Sequence, residues 1–301
     1  MTRTAQLLPH HPATFRPLAG VRVLSLALNL PGPVALARLR ALGAHVRKIE
    51  PPSGDPMRSM SAALYRAMHR GVAVQALDLK TEPGQAALHE VLRASDLLLT
   101  AFRPPALARL GLDRATLSAA HPHLSTVSIV GHPGRRANQP GHDLTYQAEA
   151  GLLDTARLPS TLLADMTGAL VVMEAAMGAV MQARASGCGV HLQVALSDAA
   201  GFAALPRDVG LAGAGALLGG GLPGYAVYPC RDGLVALAAL EPHFAESLAR
   251  IAGGASRAAI ARWCRAHGAA QLEALAAEHD LPLRAWPLER AKPRRPGQVN
   301  T

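Results

Sequence analysis

Short apolar strand patterns alternate with helical patterns throughout the first half of the sequence. The strand patterns are VRVLSL (21–26), HVRKIE (45–50), VQALDL (74–79), SDLLLT (95–100) and LSTVSIVG (124–131). The segments between them have helical spacing or turn residues, as in VALARLRALG (34–43). Parallel neighbours need a crossover connection, so this alternation predicts an α/β fold, a mostly parallel Rossmann-like sheet flanked by helices.

The domain organisation is inferred from the chain length and from a change in local composition. A chain of 301 residues exceeds the usual size of one domain. A glycine-rich stretch, 210–224, precedes YAVYPCRDGLVALAAL, which predicts two strands around an Asp232-Gly233 hairpin. We predict an N-terminal extension (1–16), a large α/β domain (17–209), a Gly-rich linker (210–224), a smaller α+β domain (225–285) and a C-terminal tail (286–301).

Composition narrows the class of ligand. The net charge of +9 favours an anionic ligand, but the arginines are dispersed and aromatic residues make up only 3%, which argues against nucleic acid. Cys188, Cys230 and Cys264 are far apart in sequence, so neither a metal site nor a disulfide framework is expected. With no signal-like start and no long uninterrupted apolar run, the expectation is a cytoplasmic protein without a membrane partner.

The stretch from Gly141 to Asp165 carries the candidate chemistry. It begins with a His-Asp pair, His142 and Asp143, and ends with Asp165 at the start of an apolar helical run, 164–185. Aspartate at a helix start is also a common cap, so capping and catalysis are both open for Asp165. A histidine next to a carboxylate can have its tautomer fixed for acid–base work, although packing or surface roles are equally available to His142.

Seven segments in order give the chain its resemblance to a known family: PLAGVRVLSL with a Pro-Gly-Pro turn, VRKIEPPSGDPMR, HRGVAVQALDLKTEPG, FRPPALARLGLD, PGHDLTYQAEAGLL, LLADMTGAL and YAVYPCRDGLVALAALEPHF. Together they resemble the family III CoA-transferases, the group that includes formyl-CoA transferase and α-methylacyl-CoA racemase, over roughly residues 17–290. The resemblance implies acyl-CoA binding across a large and a small domain, and an interlocked homodimer. This chain resembles a C-terminally short member, because it ends soon after LPLRAWPLE.

Two reactions are implied by the resemblance. A racemase would remove and return the α-proton of a 2-methylacyl-CoA with His142 and Asp165, and Glu241 would support the histidine. A CoA-transferase would use Asp165 to form an acyl anhydride and then an aspartyl-CoA thioester. We rank racemisation first and transfer as its alternative, with a non-catalytic acyl-CoA binder as a further one; Glu241 could also simply start a helix.

The resemblance also implies a coenzyme A site. Lys48, Arg58 and Arg103 fall where the family presents positive charge to the CoA phosphates, and Asp143 and Tyr146 fall near the pantetheine arm. Each of these cations could instead be an ordinary surface charge. His-Arg-Gly-Val-Ala (69–73) stands where the family usually has Asn-Arg-Gly-Lys-Arg, which predicts weaker or rearranged CoA binding.

Overall fold

The computed structural model describes residues 14–288, which form two compact units that divide between Ala204 and Leu205. The predicted terminal segments, 1–16 and 286–301, lie mostly outside the described residues.

The first unit is built on a six-stranded, fully parallel sheet with the order β3-β2-β1-β4-β5-β6. The strands are β1 (Arg22–Ser25), β2 (His45–Glu50), β3 (Ala73–Ala76), β4 (Leu97–Thr100), β5 (Ser125–Val130) and β6 (His191–Ala195). Every residue of β4 is buried, as expected for a central strand covered on both faces. The predicted α/β class with a parallel sheet is confirmed.

Helices cover both faces of this sheet. They are α1 (Pro31–Ala41), α2 (Met57–Met60), α3 (Ala62–Met68), α4 (Glu82–Arg93), α5 (Pro104–Arg109), α6 (Arg114–Ala120), α7 (Asp143–Glu149), α8 (Leu163–Ser186) and α9 (Leu196–Asp208), with a 3-10 turn at Gly134–Asn138. One apolar core joins the sheet to α1 and α8, and a second joins it to α4, α5 and α6.

The order in which strands are added to the sheet reverses between β1 and β4. From β1 the chain moves outward through β2 to β3, and from β4 it moves outward the other way through β5 to β6. The loops that leave β1 and β4 therefore diverge to opposite faces and leave a crevice at the carboxyl end of the sheet. Open α/β sheets bind their ligands at such a point.

The long helix α8 has alanine and glycine on its buried side, including Ala164, Gly168 and Ala176. At Gly168 the absence of a side chain lets α8 lie close to the start of α9, because a β-carbon there would come within 2.3 Å of Leu196 Cδ2. By length and composition alone, α8 is the one described helix that could span a membrane. Core helices of soluble proteins meet the same criterion, and α8 contributes five residues to the first core.

The second unit contains an antiparallel three-stranded sheet, β7 (Tyr225–Pro229), β8 (Gly233–Ala238) and β9 (Leu283–Pro287), in that order. The hairpin predicted at Asp232-Gly233 is confirmed by the pairing of β7 with β8. Helices α10 (Pro242–Ala252), α11 (Arg257–Ala266) and α12 (Ala269–Glu278) pack around a core centred on Trp263 and Leu272. Helices α11 and α12 meet at His267-Gly268.

Candidate active site

A cavity of about 210 Å³ lies at the carboxyl end of the parallel sheet. Its wall comes from the loops that follow β1, β4 and β5, from the start of α7, and from Asp165 and Leu196. Four of the predicted site residues line it, namely Arg103, His142, Tyr146 and Asp165. The fold thus brings together side chains that are far apart in sequence. They meet at the crevice where the strand order reverses.

Asp165 is the third residue of α8, inside the helix rather than at its cap position. Its backbone N–H donates to Asp143 Oδ1 at 3.0 Å, so the partner that satisfies this first-turn amide is the other acid. The capping alternative for the Asp165 side chain is therefore wrong: Leu162 is the cap residue, and no side-chain cap bond is found there. The Asp165 carboxylate is left facing the cavity.

Burial raises the pKa of Asp165 from 3.8 to about 6, and the nearby charge of Asp143 adds to the increase. The carboxyl group is thus mostly ionised at neutral pH but is a stronger base than a solvated aspartate. Such a shift in a cavity is typical of a reactive group.

Asp143 is buried and both of its carboxylate oxygens are occupied. Oδ1 accepts the Asp165 amide, and Oδ2 accepts a hydrogen bond from Gln147 Nε2 at 2.6 Å. Neither of these two hydrogen bonds involves the His142 ring, and the predicted place of Asp143 near the pantetheine arm stays a prediction. In this structure Asp143 fixes the start of α8 against α7.

His142 precedes α7 and is exposed, with its side chain on the cavity wall. Thr145 Oγ1 accepts from the His142 N–H at 3.0 Å and donates to its carbonyl oxygen at 2.8 Å. This pair of bonds holds the backbone of His142 at the helix start. The imidazole and the Asp165 carboxylate therefore share one small cavity.

Tyr146 fills the floor of the cavity and is 3% exposed. Two glycines make room for its ring: a β-carbon at Gly131 would lie 2.5 Å from the Tyr146 hydroxyl oxygen, and one at Gly141 would lie 2.5 Å from Cε1. Burial raises the pKa of Tyr146, with a further increase from Asp165 and an opposing effect of Arg103. The phenol is therefore neutral and able to donate a hydrogen bond.

Lys48 and Arg58 lie together in a cluster of charged side chains after β2, and their predicted contact with the CoA phosphates stays a prediction. The Lys48 side chain is 0% exposed; its Nζ bonds to Asp55, lies 3.2 Å from Glu50 Oε1 and lies 2.9 Å from His69 Nε2. Because it is enclosed by these partners, its ammonium cannot reach a phosphate in this structure. Arg58 is half-exposed but is held by Glu50 Oε2 at 3.2 Å and the Tyr65 hydroxyl at 2.6 Å.

Three possible metal ligands, Glu50, Asp55 and His69, come within 4.8 Å of one another in this cluster. The Lys48 ammonium contacts all three, so it already supplies the positive charge that a metal ion would bring. Tyr65 donates to Glu50 Oε1 at 2.8 Å, and its pKa is raised to about 12, first by burial and then by Glu50. These contacts among Lys48, Glu50, Asp55 and His69 hold the loop after β2 in place.

A second cavity, of about 720 Å³, shares Phe102 with the first. Its polar lining consists of two cations that the sequence analysis missed, Lys80 and Arg109, and of Thr81, Glu82 and Gln85. In the sequence these cations look like ordinary surface charges. Only the convergence of the loop after β3 with α5 places them at one opening.

Glu241 belongs to the second unit, where it is the cap residue of α10 without a side-chain cap bond. Its predicted support of His142 stays a prediction.

A doubly wound α/β sheet with a raised-pKa carboxylate at its crevice is typical of ligand-binding α/β proteins. The chain belongs to CoA-transferase family III, whose family model matches residues 18–286. The resemblance to that family given by the sequence motifs is thereby confirmed.

Known relatives carry transferase names. The chain is 33% identical over 205 residues to a succinate–glutarate CoA-transferase of Agrobacterium fabrum, covering 60% of this chain and 51% of that protein. It is 31% identical over 203 residues to a cinnamoyl-CoA:phenyllactate CoA-transferase of Clostridium sporogenes, covering 60% and 49%. The chain thus spans about half the length of these curated relatives.

Solved structures show the same fold. The crystal structure of Rv3272 from Mycobacterium tuberculosis matches with a TM-score of 0.79 at 23% identity, over 91% of this chain and 83% of that one. A CAIB/BAIF family protein from Brucella suis matches with a TM-score of 0.76 at 23% identity, over 90% and 84%.

Proposed function

We propose that this protein transfers coenzyme A between carboxylic acids, with Asp165 as the nucleophile. The observation that carries the proposal is the Asp165 carboxylate in a small cavity, with a pKa raised to about 6 and no hydrogen-bond partner for its side chain among the described residues. A carboxylate that is poorly solvated yet ionised is an effective nucleophile. The transferase names of the relatives favour this reaction over racemisation, which the sequence analysis ranked first.

The reaction proceeds through two covalent forms of Asp165. Its carboxylate attacks the thioester carbonyl, the C–S bond breaks, and CoA leaves as a thiolate while a mixed anhydride forms. The thiolate then attacks the aspartyl carbonyl and releases the first acid as a carboxylate, which leaves an aspartyl-CoA thioester. The second acid repeats these steps in reverse and departs as the new acyl-CoA.

The positive end of α8 supports this chemistry. Negative charge develops on the carbonyl oxygens at each step, close to the first turn of the helix that carries Asp165. The neutral Tyr146 hydroxyl on the cavity wall is a further donor for these oxygens. Asp143 contributes by holding the Asp165 backbone amide.

The two neighbouring cavities suit the two ends of an acyl-CoA. The thioester would lie beside Asp165, the pantetheine arm would pass Phe102, and the phosphates would meet Lys80 and Arg109, with Arg103 between. Lys48 and Arg58 are not part of this arrangement. Homodimer formation, a cytoplasmic location and a role for Glu241 remain predictions.

An isotope experiment tests the nucleophile. The protein is incubated with succinyl-CoA and glutarate labelled with ¹⁸O in its carboxylates, since one relative is named for this pair of acids. The labelled oxygen that bridges the anhydride stays on Asp165 when CoA attacks the glutaryl carbonyl. Mass spectrometry should therefore find ¹⁸O in the Asp165 peptide, and Asp165→Asn should abolish both label and transfer. Transfer without label would contradict the proposal.

Racemisation remains the competing reaction because His142 and Asp165 line the same cavity. Incubation of the protein with a 2-methylacyl-CoA in heavy water, without a free acid, distinguishes the two. Deuterium at Cα that is lost in His142→Ala would establish the racemase. CoA binding without either activity would leave a non-catalytic binder.

Substitutions in the second cavity test the proposed contacts with the CoA phosphates. Lys80→Ala and Arg109→Ala should each raise KM for succinyl-CoA several-fold and leave KM for glutarate unchanged. Arg114→Ala, an exposed cation outside both cavities, is the matched control. Equal effects of all three substitutions would show only a general charge effect.

A further inference from the structure

Four side chains beside the cavity form a connected network that the reaction above does not use. Arg136, in the 3-10 turn, binds Glu149 at the end of α7 through two bonds of 2.7 and 3.0 Å. His132, just after β5, lies with Nε2 2.8 Å from the same carboxylate. Arg136 Nε also donates to Gln139 Oε1 at 2.9 Å. The network thus ends on Gln139, a cavity-lining side chain.

The bond from Arg136 decides which way the Gln139 amide faces. A guanidinium has only donors, so the atom next to it must be the amide oxygen. The backbone N–H of Gln139 also donates to the Arg136 carbonyl at 2.9 Å, which ties the two residues at a second point. The Gln139 Nε2 group, with two N–H donors, is consequently the end left for a ligand.

The same network fixes the helix that carries His142 and Tyr146. Helix α7 has seven residues, too few to be stable by itself. Asp143 anchors its start through the Asp165 amide, and Glu149 anchors its end through Arg136 and His132. His132 is buried and packs edge-on against the Tyr146 ring, with centroids 5.3 Å apart.

We propose that Gln139 binds the carboxylate of the acid substrate through its Nε2 donors, and that Arg136 and Glu149 are positioning residues that hold this amide toward the cavity. The inference rests on the proposed CoA transfer, in which each acid enters as a free carboxylate. Carboxylate oxygens only accept hydrogen bonds, and an amide N–H complements them without adding charge. Acids bound here are small, because the cavity has a volume of about 210 Å³.

Kinetics on the full chain test both roles. Gln139→Ala should raise KM for glutarate about tenfold, the usual effect of losing a hydrogen bond to a charged group, and leave KM for succinyl-CoA unchanged. Gln139→Glu should raise it further, because a second acid then faces the substrate. Arg136→Ala and Glu149→Gln should raise the same KM several-fold. Arg135→Ala, in the neighbouring exposed arginine, is the control and should change neither constant.

The pattern of constants separates positioning from a general structural role. A merely structural network would lower thermal stability, kcat and both KM values together in Arg136→Ala and Glu149→Gln. A KM for glutarate within twofold of the unsubstituted protein in Gln139→Ala would overturn the binding role. Effects of Arg136→Ala that persist undiminished when combined with Gln139→Ala would overturn the positioning role, because the two substitutions should not be additive.

A binding measurement keeps this inference separate from the proposed reaction. The side-chain amide signal of Gln139, assigned by its loss in Gln139→Ala, is followed by NMR while glutarate is added. A saturating shift supports Gln139 as an acid-binding residue even if no CoA transfer is detected, in which case only the reaction fails. No shift together with active transfer would overturn the inference and leave the reaction standing.

Discussion

The carboxylate of Asp143 accepts a hydrogen bond from the backbone N–H of Asp165 at 3.0 Å, which joins two acids 22 positions apart in sequence. Asp143 thereby satisfies a backbone N–H in the first turn of α8. The side chain of Asp165 remains facing the cavity. The arrangement also places a negative charge near the Asp165 carboxylate, which helps to raise its pKa. Asp143 therefore both fixes the Asp165 backbone and raises the pKa of the Asp165 side chain.

The first prediction concerns pH. Transfer activity should fall as the pH is lowered through about 6, because the attacking form of Asp165 is the ionised one. Asp143→Asn can still accept the Asp165 amide but removes the like charge, so the acidic limb of the kcat/KM profile should move to lower pH. Steady-state rates from pH 4.5 to 8 measure this. An unchanged limb would mean that another group controls it.

The second prediction concerns stability. The folded-state pKa of Asp165 is raised from 3.8 to about 6, so the folded form loses stability as the pH rises from 3.8 to about 6. Asp165→Asn should therefore be more stable at pH 8, by about 3 kcal/mol, and should show no gain below pH 3.8. Thermal unfolding at both pH values tests it. A gain of equal size at low pH would point to a cause other than ionisation.

The third prediction concerns the space around Tyr146. Gly141→Ala places a β-carbon 2.5 Å from Tyr146 Cε1, so the buried ring must move, at a cost of about 1–3 kcal/mol and with loss of activity. Gly178→Ala is the control: it lies inside α8 with no neighbouring atom within 4 Å and should stabilise the helix by up to about 1 kcal/mol. Denaturant unfolding compares the two. Equal effects would show that the Tyr146 contact is unimportant.

The fourth prediction concerns His69 in the Lys48 cluster. His69 Nδ1 faces the Tyr65 carbonyl oxygen at 2.8 Å and must donate to it, which leaves Nε2 to accept from Lys48. Burial lowers the pKa of His69, and the Lys48 charge lowers it further. The stability of the folded form is therefore complete above pH 6.5 and declines as the pH falls below it. His69→Gln should flatten this decline in thermal unfolding between pH 7 and 5; an equally steep curve would contradict it.

The sequence predicted the regular elements of the first unit well because their signals are local. β2 was predicted with the bounds that the structure has, and α1 and α8 begin or end within a few residues of their predicted limits. The short helices α2, α3 and α7 and the strand β9 were missed. Elements of this size depend on contacts with distant residues more than on their own propensity.

The candidate site shows the same division between features with a local sequence signal and features that depend on distant contacts. The motifs around His142 and Asp165 were enough to indicate a family and a pair of candidate catalytic residues, since residue type and order are visible in the sequence. The burial of Lys48 was not visible, because its three partners come from β2, the following loop and the end of α3. Lys80 and Arg109 likewise become a pair only through folding.

The sequence by itself therefore determined the α/β class, the family and the acid that we propose as nucleophile, all of which depend on residue identity and spacing along the chain. The tertiary structure decided which charged groups face the cavity and which are consumed in packing. Asp143 and Lys48 are occupied by buried partners, whereas Asp165 and Gln139 face the cavity. The reason is physical: a buried charge must be paired, and its partner is chosen by three-dimensional proximity.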